Sequence, residues 1–301
     1  GYPRWRSRKR HAPTFRIPQR VRLDGDTIYV PKMGHVDVRH IPPGPEGSTR
    51  GATFKRSAAG NWYVKLVVEW HCEEGPVNLP SDPGRVVGID LGLTTYAVLS
   101  DGTKVANPRF GRAGDRKLRK LHRKLSRKKR GSRNRTKARK KLARAYEKIE
   151  NQRKDFAHKL TTGLLDRFDG VCIEDLGVSG LARTKLARSV LDAAWGEIKR
   201  QLAYKAPRRG KYLGFAGRFE ATTKVCHVCH SRAPDIELSD RSWECGECGT
   251  HHDRDENASA MVKHLGWARY ASGTQDVAAG LAETQNARGP TVRPAMAGSL
   301  G

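Results

Sequence analysis

Residues 85–105, RVVGIDLGLTTYAVLSDGTKV, carry the reading on which the fold turns. An apolar run from Gly88 to Leu93 and a second from Tyr96 to Leu99, followed by Asp101-Gly102, predict a buried strand that leads into a hairpin. One carboxylate, Asp90, stands inside the first run. An isolated Asp in a strand is costly to bury, so it requires a partner, either a cation or a metal.

Two further acids stand where a backbone element ends or begins. GVCIEDLGV (170–178) is a short apolar strand ending in Glu174 and Asp175. In HDRDENASAM (252–261), Asp255 opens a helix marked by Ala258, Met261, Val262 and Leu265 at helical spacing. Three carboxylates brought together repel and raise one another's pKa unless a divalent ion neutralises them. Two Mg2+ ions would do so, and would also activate water and stabilise the leaving oxygen of a phosphodiester. Strand Asp, strand Glu, helix Asp is the order expected of an RNase H-like domain. The first stretch also looks like the first phosphate loop of the actin and Hsp70 ATPases. A second Gly-rich phosphate loop should then follow, and IEDLGVSG (173–180) is a poor one.

Composition weighs on the same side. The 301 residues are 37% hydrophobic, enough for at least one real core, yet the net charge is +27 at a sequence pI of about 10.3. Such an excess points to a polyanion as partner. No apolar run approaches the roughly 20 residues of a membrane helix, and no secretory leader pattern opens the sequence. The expectation is a cytoplasmic, nucleoid-associated binder of nucleic acid, with no membrane partner.

Four of the six cysteines form two C-x-x-C pairs, Cys226/Cys229 and Cys245/Cys248, with fifteen residues between them. A hairpin of that length can fold back and close one tetrahedral zinc site of four thiolates, a closed structural site; a redox pair is the main competitor. His227, His230, His251 and His252 stand close enough in sequence to substitute as ligands. Cys72 and Cys172 lie in strand-like apolar runs and read as buried thiols.

Upstream, Phe15 to Glu69 reads as short strands and turns, with Asp24-Gly25 between two of them: a small β-rich module, a barrel. Glu73 to Gly84, dense in Pro, Gly, Asn and Asp, reads as the linker out of it. Residues 111–154 hold 21 Lys or Arg against three acids. Leu118, Leu121 and Leu125, then Leu142, Tyr146 and Ile149, repeat at helical spacing on either side of Gly131-Ser132, so two basic helices are predicted there. The cations expected to meet phosphates are Arg123, Lys124, Arg127, Lys128, Lys129, Arg130, Arg133, Arg135, Lys137, Arg139, Lys140 and Lys141. They supply affinity without sequence information. Leu191, Trp195, Ile198 and Leu202 mark another amphipathic helix, YLGFAGRFEATTKV (212–225) returns to strand character, and the last thirty or so residues read as a flexible tail.

Taken in order, GIDLGLTTYAVLSDG (88–102), LHRKLSRKKRGSRNRTKARKKLARAYEKIENQRKDFAHKL (121–160), VCIEDLGVSGL (171–181), AAWGEIKRQLAYKA (193–206), KVCHVC (224–229), CGECG (245–249) and HDRDENASAM (252–261) resemble the TnpB proteins of insertion sequences. These are RNA-guided nucleases related to type V CRISPR effectors and long described as transposases. The resemblance spans most of residues 85–270. It implies an α/β fold: an RNase H-like (RuvC) nuclease domain with an inserted zinc ribbon and a basic helical hairpin, preceded by a partial β-barrel. It implies roles position by position, with Asp90, Glu174 and Asp255 as the first, second and third acids of a Mg-dependent DNA endonuclease. Asp253 would then be a helix N-cap or supporting group and Asp175 a turn residue. The cysteines would hold the loop that positions the helix of Asp255.

The division that follows is a wedge-like barrel module over 1–76, a linker over 77–84, a nuclease core over 85–220 with the hairpin at 111–160, a zinc ribbon over 221–252, a closing helix over 253–270 and a tail over 271–301. Family members have further residues ahead of GYPRWRSRKRHAPTFRIPQ (1–19), including the first barrel strands and a helical insertion. Structural Zn, catalytic Mg, a guide RNA from the transposon end and a double-stranded DNA target complete the expectation. An RNA-guided binder that does not cut, or an inactive fragment, and a DNA-strand transferase are the alternatives.

Overall fold

A computed structural model describes residues 13–39, 47–69, 80, 82–218, 220–232, 237 and 240–271. The N-terminal dozen residues, most of the expected linker, Cys72 and nearly all of the expected tail lie outside these. Along the chain run β1 (Thr14–Ile17), β2 (Arg22–Asp24), β3 (Thr27–Val30), β4 (Gly34–Asp37), β5 (Ser48–Arg56), β6 (Trp62–Glu69), β7 (Val86–Leu91), β8 (Thr95–Leu99), β9 (Lys104–Ala106), α1 (Phe110–Ser126), α2 (Arg133–Arg167), β10 (Gly170–Glu174), α3 (Val178–Leu181), α4 (Ala187–Ala193), α5 (Trp195–Arg208), β11 (Tyr212–Ala216), β12 (Ser242–Glu244), β13 (His251–Asp253) and α6 (Arg254–Ala271). Among the described residues no helix is long and apolar enough to cross a membrane.

The chain divides into two compact units. One joins residues 1–73 to 113–151, and the other holds 74–112 and 152–301. The helical stretch 113–151 therefore groups with the N-terminal strands, whereas the sequence assigned the whole hairpin to the nuclease core. Within that unit Asn61 Nδ2 and Tyr63 OH each donate to the Glu147 carboxylate at 2.9 Å, side-chain bonds that periodicity does not reveal.

In that first unit, β1, β5 and β6 form one antiparallel sheet and β2, β3 and β4 another. Both contribute to a single core of Val21, Ile28, Val30, Ala52 and Phe54, flanked by Ile17, Val36, Val64 and Leu66. Gly25, at φ +53°, makes the tight β2–β3 turn that Asp24-Gly25 predicts. The basic helices meet at Arg127–Ser132, where Gly131 takes φ +84° and the Ser132 hydroxyl accepts from Arg135 N at 3.1 Å to cap α2.

The second unit is built on a five-stranded sheet in the order β11-β10-β7-β8-β9. β7 pairs parallel with β10, and β10 parallel with β11, while β7–β8 and β8–β9 are antiparallel. β7 is covered on both faces, which is why it reads as an unbroken apolar run rather than an alternation. Val87, Ile89 and Leu91 face a core built with Leu164 and Leu165 of α2, Val190 of α4 and Ile198 and Leu202 of α5. Val86, Gly88 and Asp90 face the other way, since successive side chains alternate.

That other face belongs to α6. A Cβ on Gly88 would lie 2.0 Å from the Ser259 carbonyl oxygen and 2.5 Å from Lys263 N, so the missing side chain lets the helix backbone lie directly on the strand. Gly266 does the same further along α6, where a Cβ would meet Cys172 Sγ at 2.5 Å. Cys172 is fully buried beneath this contact and burial pushes its thiol up to about 12, as an inert core thiol requires. The two glycines thus set how near α6 lies to the sheet.

Candidate active site and metal centre

Register carries the first two acids to one edge. β10 aligns with β7 as Gly170–Val86 through Ile173–Ile89, and one more step sets Glu174, the last residue of β10, beside Asp90. Asp253 caps α6 through its Oδ1, which accepts from Asp255 N at 2.9 Å and Glu256 N at 3.1 Å. The cap fixes Asp255 in the first turn, and the close seat of α6 on Gly88 aims that turn at Asp90.

Asp90 senses the other two carboxylates. Burial, then the charges of Glu174 and Asp255, push the Asp90 carboxyl up to about 7, with the Arg254 guanidinium pulling it down. Asp255 lies 3.5 Å from Arg254 Nε and 3.7 Å from Arg241 of the segment entering β12. Glu174 accepts a hydrogen bond from the Thr222 hydroxyl at 2.6 Å. Asp175, beside it in sequence, is not the simple turn residue the sequence suggests. It pairs with Lys199 of α5 and with Arg218 at 3.3 Å, so its charge is already balanced. Of the two acids ending β10, Glu174 is the one left to face Asp90.

The cysteines form the tighter group. Their four sulfurs lie within 4.8 Å of one another, the single such group of metal-ligating side chains among the described residues. The two knuckles repeat one design. Cys226 N donates to Ser231 O and Cys245 N to Thr250 O, both at 2.9 Å; His230 N donates to Cys226 O at 3.0 Å and Gly249 N to Cys245 O at 2.8 Å. His230 and Gly249 occupy matching left-handed positions, φ +60° and +66°. Cross-pair contacts of 3.7 Å for Cys226–Cys248 and 3.5 Å for Cys229–Cys245 are close to the roughly 3.8 Å edge of a tetrahedron with metal–sulfur bonds of about 2.3 Å. His252 sits outside this group and contacts it through Nε2, 3.1 Å from Cys226 Sγ. The second pair lies in the loop of the β12–β13 hairpin, whose last strand runs directly into α6.

Two residues that the sequence did not single out connect this group to the acids. Asn257, two positions beyond Asp255 and fully buried, donates from Nδ2 to Val225 O at 2.8 Å and accepts at Oδ1 from His227 N at 3.0 Å. Thr222, on the same segment, makes the contact to Glu174. The one clue in the sequence is an Asn inside an otherwise apolar helical face, a polar group that burial obliges to find partners.

Comparison with known proteins decides the lineage. Residues 69–185 match the model of the IS605 OrfB family, described as "Probable transposase", and residues 195–262 match that of the Cas12f1-like TNB domain. A "Putative RNA-guided DNA endonuclease" of Streptomyces pristinaespiralis is 37% identical over 90% of this chain and 67% of its own length. The chain belongs to the TnpB family. A second TnpB-family relative, the "Putative RNA-guided DNA endonuclease InsQ" of Escherichia coli K12, is 32% identical over 91% of this chain and 70% of its own length. Among solved structures, the Cas12f1 chain of a complex with sgRNA and target DNA superposes with a TM-score of 0.51 at 13% identity, covering 84% of this chain and 59% of that one; the likeness is one of fold.

On this TnpB-family chain the basic hairpin presents most of its cations to solvent. Arg123, Lys124, Arg127, Lys128, Lys129, Arg130, Arg133, Lys137, Arg139, Lys140 and Lys141 are all exposed. Arg135 is the exception: half-buried, its guanidinium donates to Leu125 O at 3.0 Å and Lys128 O at 2.9 Å. Those carbonyls close the C-terminus of α1, so this arginine serves the turn rather than a phosphate.

Proposed function

We propose that this chain is a transposon-encoded, RNA-guided DNA endonuclease whose cutting site is formed by Asp90, Glu174 and Asp255. The observation that carries the reading is that β7, β10 and α6 bring three acids to one place, where burial first and then the charges of Glu174 and Asp255 push Asp90 up to about 7. Among the described residues the Asp90 carboxylate has no hydrogen-bond donor, the Arg254 charge offsets its acidic neighbours only in part, and burying a carboxylate among like charges is unfavourable. The donor set is hard oxygen, suited to Mg2+. Bound by these three residues, divalent ions would supply Lewis-acid activation of water and of the leaving oxygen.

The protein's own residues do the rest. Thr222 fixes one oxygen of Glu174, the Asp253 cap holds Asp255 at the head of α6, and Asp175 is kept out of the site by Lys199 and Arg218. The sheet order β9-β8-β7-β10-β11, with its antiparallel meander continued by parallel strands, supports an RNase H-like (RuvC) core over residues 85–220 and 253–270. The sulfur geometry fits a structural Zn2+ held by Cys226, Cys229, Cys245 and Cys248, closing a ribbon over 221–252. The N-terminal sheets act as a partial barrel. Together with the exposed cations of the hairpin they hold the backbone of a guide RNA from the transposon end paired to target DNA, sequence being read by base pairing.

The test is Mg2+-dependent cutting of a plasmid library carrying a guide-matched target beside randomised flanking sequence, with protein co-expressed with the DNA that flanks its gene. Asp90→Ala should lower cutting by about a thousand-fold or more, as loss of several kcal/mol of charge stabilisation implies, while guide and target stay bound. Cutting at the unmutated rate by Asp90→Ala would overturn the assignment.

A further inference from the structure

The segment between β11 and the first cysteine pair is held by α6 at two points. Arg269, near the end of the helix, pairs with Glu220 at 2.9 Å and donates to Phe215 O at 3.0 Å. Asn257, in the second turn, donates from Nδ2 to Val225 O at 2.8 Å and to Thr222 O at 3.5 Å. The same Asn257 side chain accepts from His227 N at 3.0 Å, and His227 follows Cys226 directly. Thr222, largely buried between these anchors, spends its hydroxyl on Glu174 Oε1 at 2.6 Å. A continuous line of bonds therefore runs from the first knuckle through Asn257 and Thr222 to the second acid.

We propose that Thr222 is a positioning residue for Glu174, and that Asn257 makes its placement depend on the folded cysteine knuckle. The inference rests on Glu174 being a ligand of the catalytic cation. A carboxylate at the end of a strand has two free torsions beyond Cβ, and of the three acids Glu174 has the longest side chain. Asp90 is held by the strand interior and Asp255 by the helix cap. The hydroxyl bond fixes one oxygen and leaves the other to face Asp90. Hydrogen bonds of this kind to metal-binding side chains set their orientation, and losing one costs roughly 10–100-fold in metal affinity or activity. The cysteine module thus acts on metal binding at the acids as well as on the position of α6.

The test uses the full zinc-loaded chain with Thr222→Val, which keeps the shape and removes the hydroxyl, and Thr222→Ser, which restores it. Mn2+ binding is measured directly by the electron paramagnetic resonance signal of the free ion, without turnover, and the Mg2+ concentration for half-maximal cutting is measured beside it. Zinc content and unfolding temperature report that the knuckle and fold persist. Thr222→Val should weaken Mn2+ binding by about ten-fold or more and raise the half-maximal Mg2+ concentration in parallel, with Thr222→Ser returning both most of the way. Wild-type Mn2+ affinity in Thr222→Val, or equal weakness in the serine variant, overturns the positioning role. Glu174→Gln runs alongside: if it binds Mn2+ as the parent does, Glu174 is no ligand, and the site assignment falls together with this inference.

Discussion

Glu174 and Asp175 are adjacent, alike in charge, and differently employed. Asp175 is committed to Lys199, whose side chain is only 11% exposed, and to Arg218. Asp175→Asn should therefore act on stability, leaving a nearly buried ammonium underpaired at a cost of about 2–3 kcal/mol, somewhat below that for a fully buried pair. Denaturant unfolding measures this directly, and zinc content should not change. Glu174→Gln should leave unfolding nearly unaltered and abolish cutting. The sequence located the strand and its two terminal acids, because Val-Cys-Ile before a charge is a strong strand signal. It could not divide labour between them. The residues that do so, Lys199, Arg218 and Thr222, lie 24, 43 and 48 positions from their partners. Gly88 is a similar case: in sequence it weakens a strand, and only the packing of α6 reveals that a methyl group there would collide with helix backbone.

Among the elements, the basic hairpin separates two kinds of arginine that composition cannot tell apart. Leucines at helical spacing placed α1 and α2, and Gly131-Ser132 placed the break, since the φ of Gly131 and the cap of Ser132 are local properties. Arg135 looked like its neighbours because its partners are backbone carbonyls, which every sequence has. Arg139→Ala combined with Lys140→Ala should weaken nucleic-acid binding at all sequences alike and flatten the slope of log affinity against log salt by about 1–2. Filter binding at several salt concentrations checks it, and thermal stability should hold. Arg135→Ala should do the reverse, leaving the salt slope alone and costing about 1–3 kcal/mol through two lost charge-assisted bonds. If Arg135→Ala flattened the slope as the double variant does, its assignment to the turn would be wrong.

At the scale of the molecule, Asp169 gathers the beginnings of the three parallel strands. Its carboxylate pairs with Arg85 ahead of β7 and Lys211 ahead of β11, and its own backbone leads into β10. These two hydrogen-bonded cations hold its carboxyl well below the usual range. A depressed pKa contributes stability that is present above the unfolded value of about 3.9 and lost as pH falls through the folded one. Asp169→Asn should accordingly be less stable than the parent at pH 7, with the difference shrinking steadily below about pH 4; a gap that stayed constant between pH 7 and pH 3 would contradict the pairing. Such a clasp is illegible in sequence because it joins three distant segments, as is the grouping of 113–151 with the N-terminal strands. The seat of α6 on Gly88 has a last consequence, in the order of synthesis. The first strand of the five-stranded sheet emerges from the ribosome early, but the helix that brings Asp255 to it is the final element of the described chain. If the proposed site is the cutting one, then until translation has passed that helix and it has docked, the nascent protein would carry two acids and no third, and would be unable to cut the DNA from which it is being expressed.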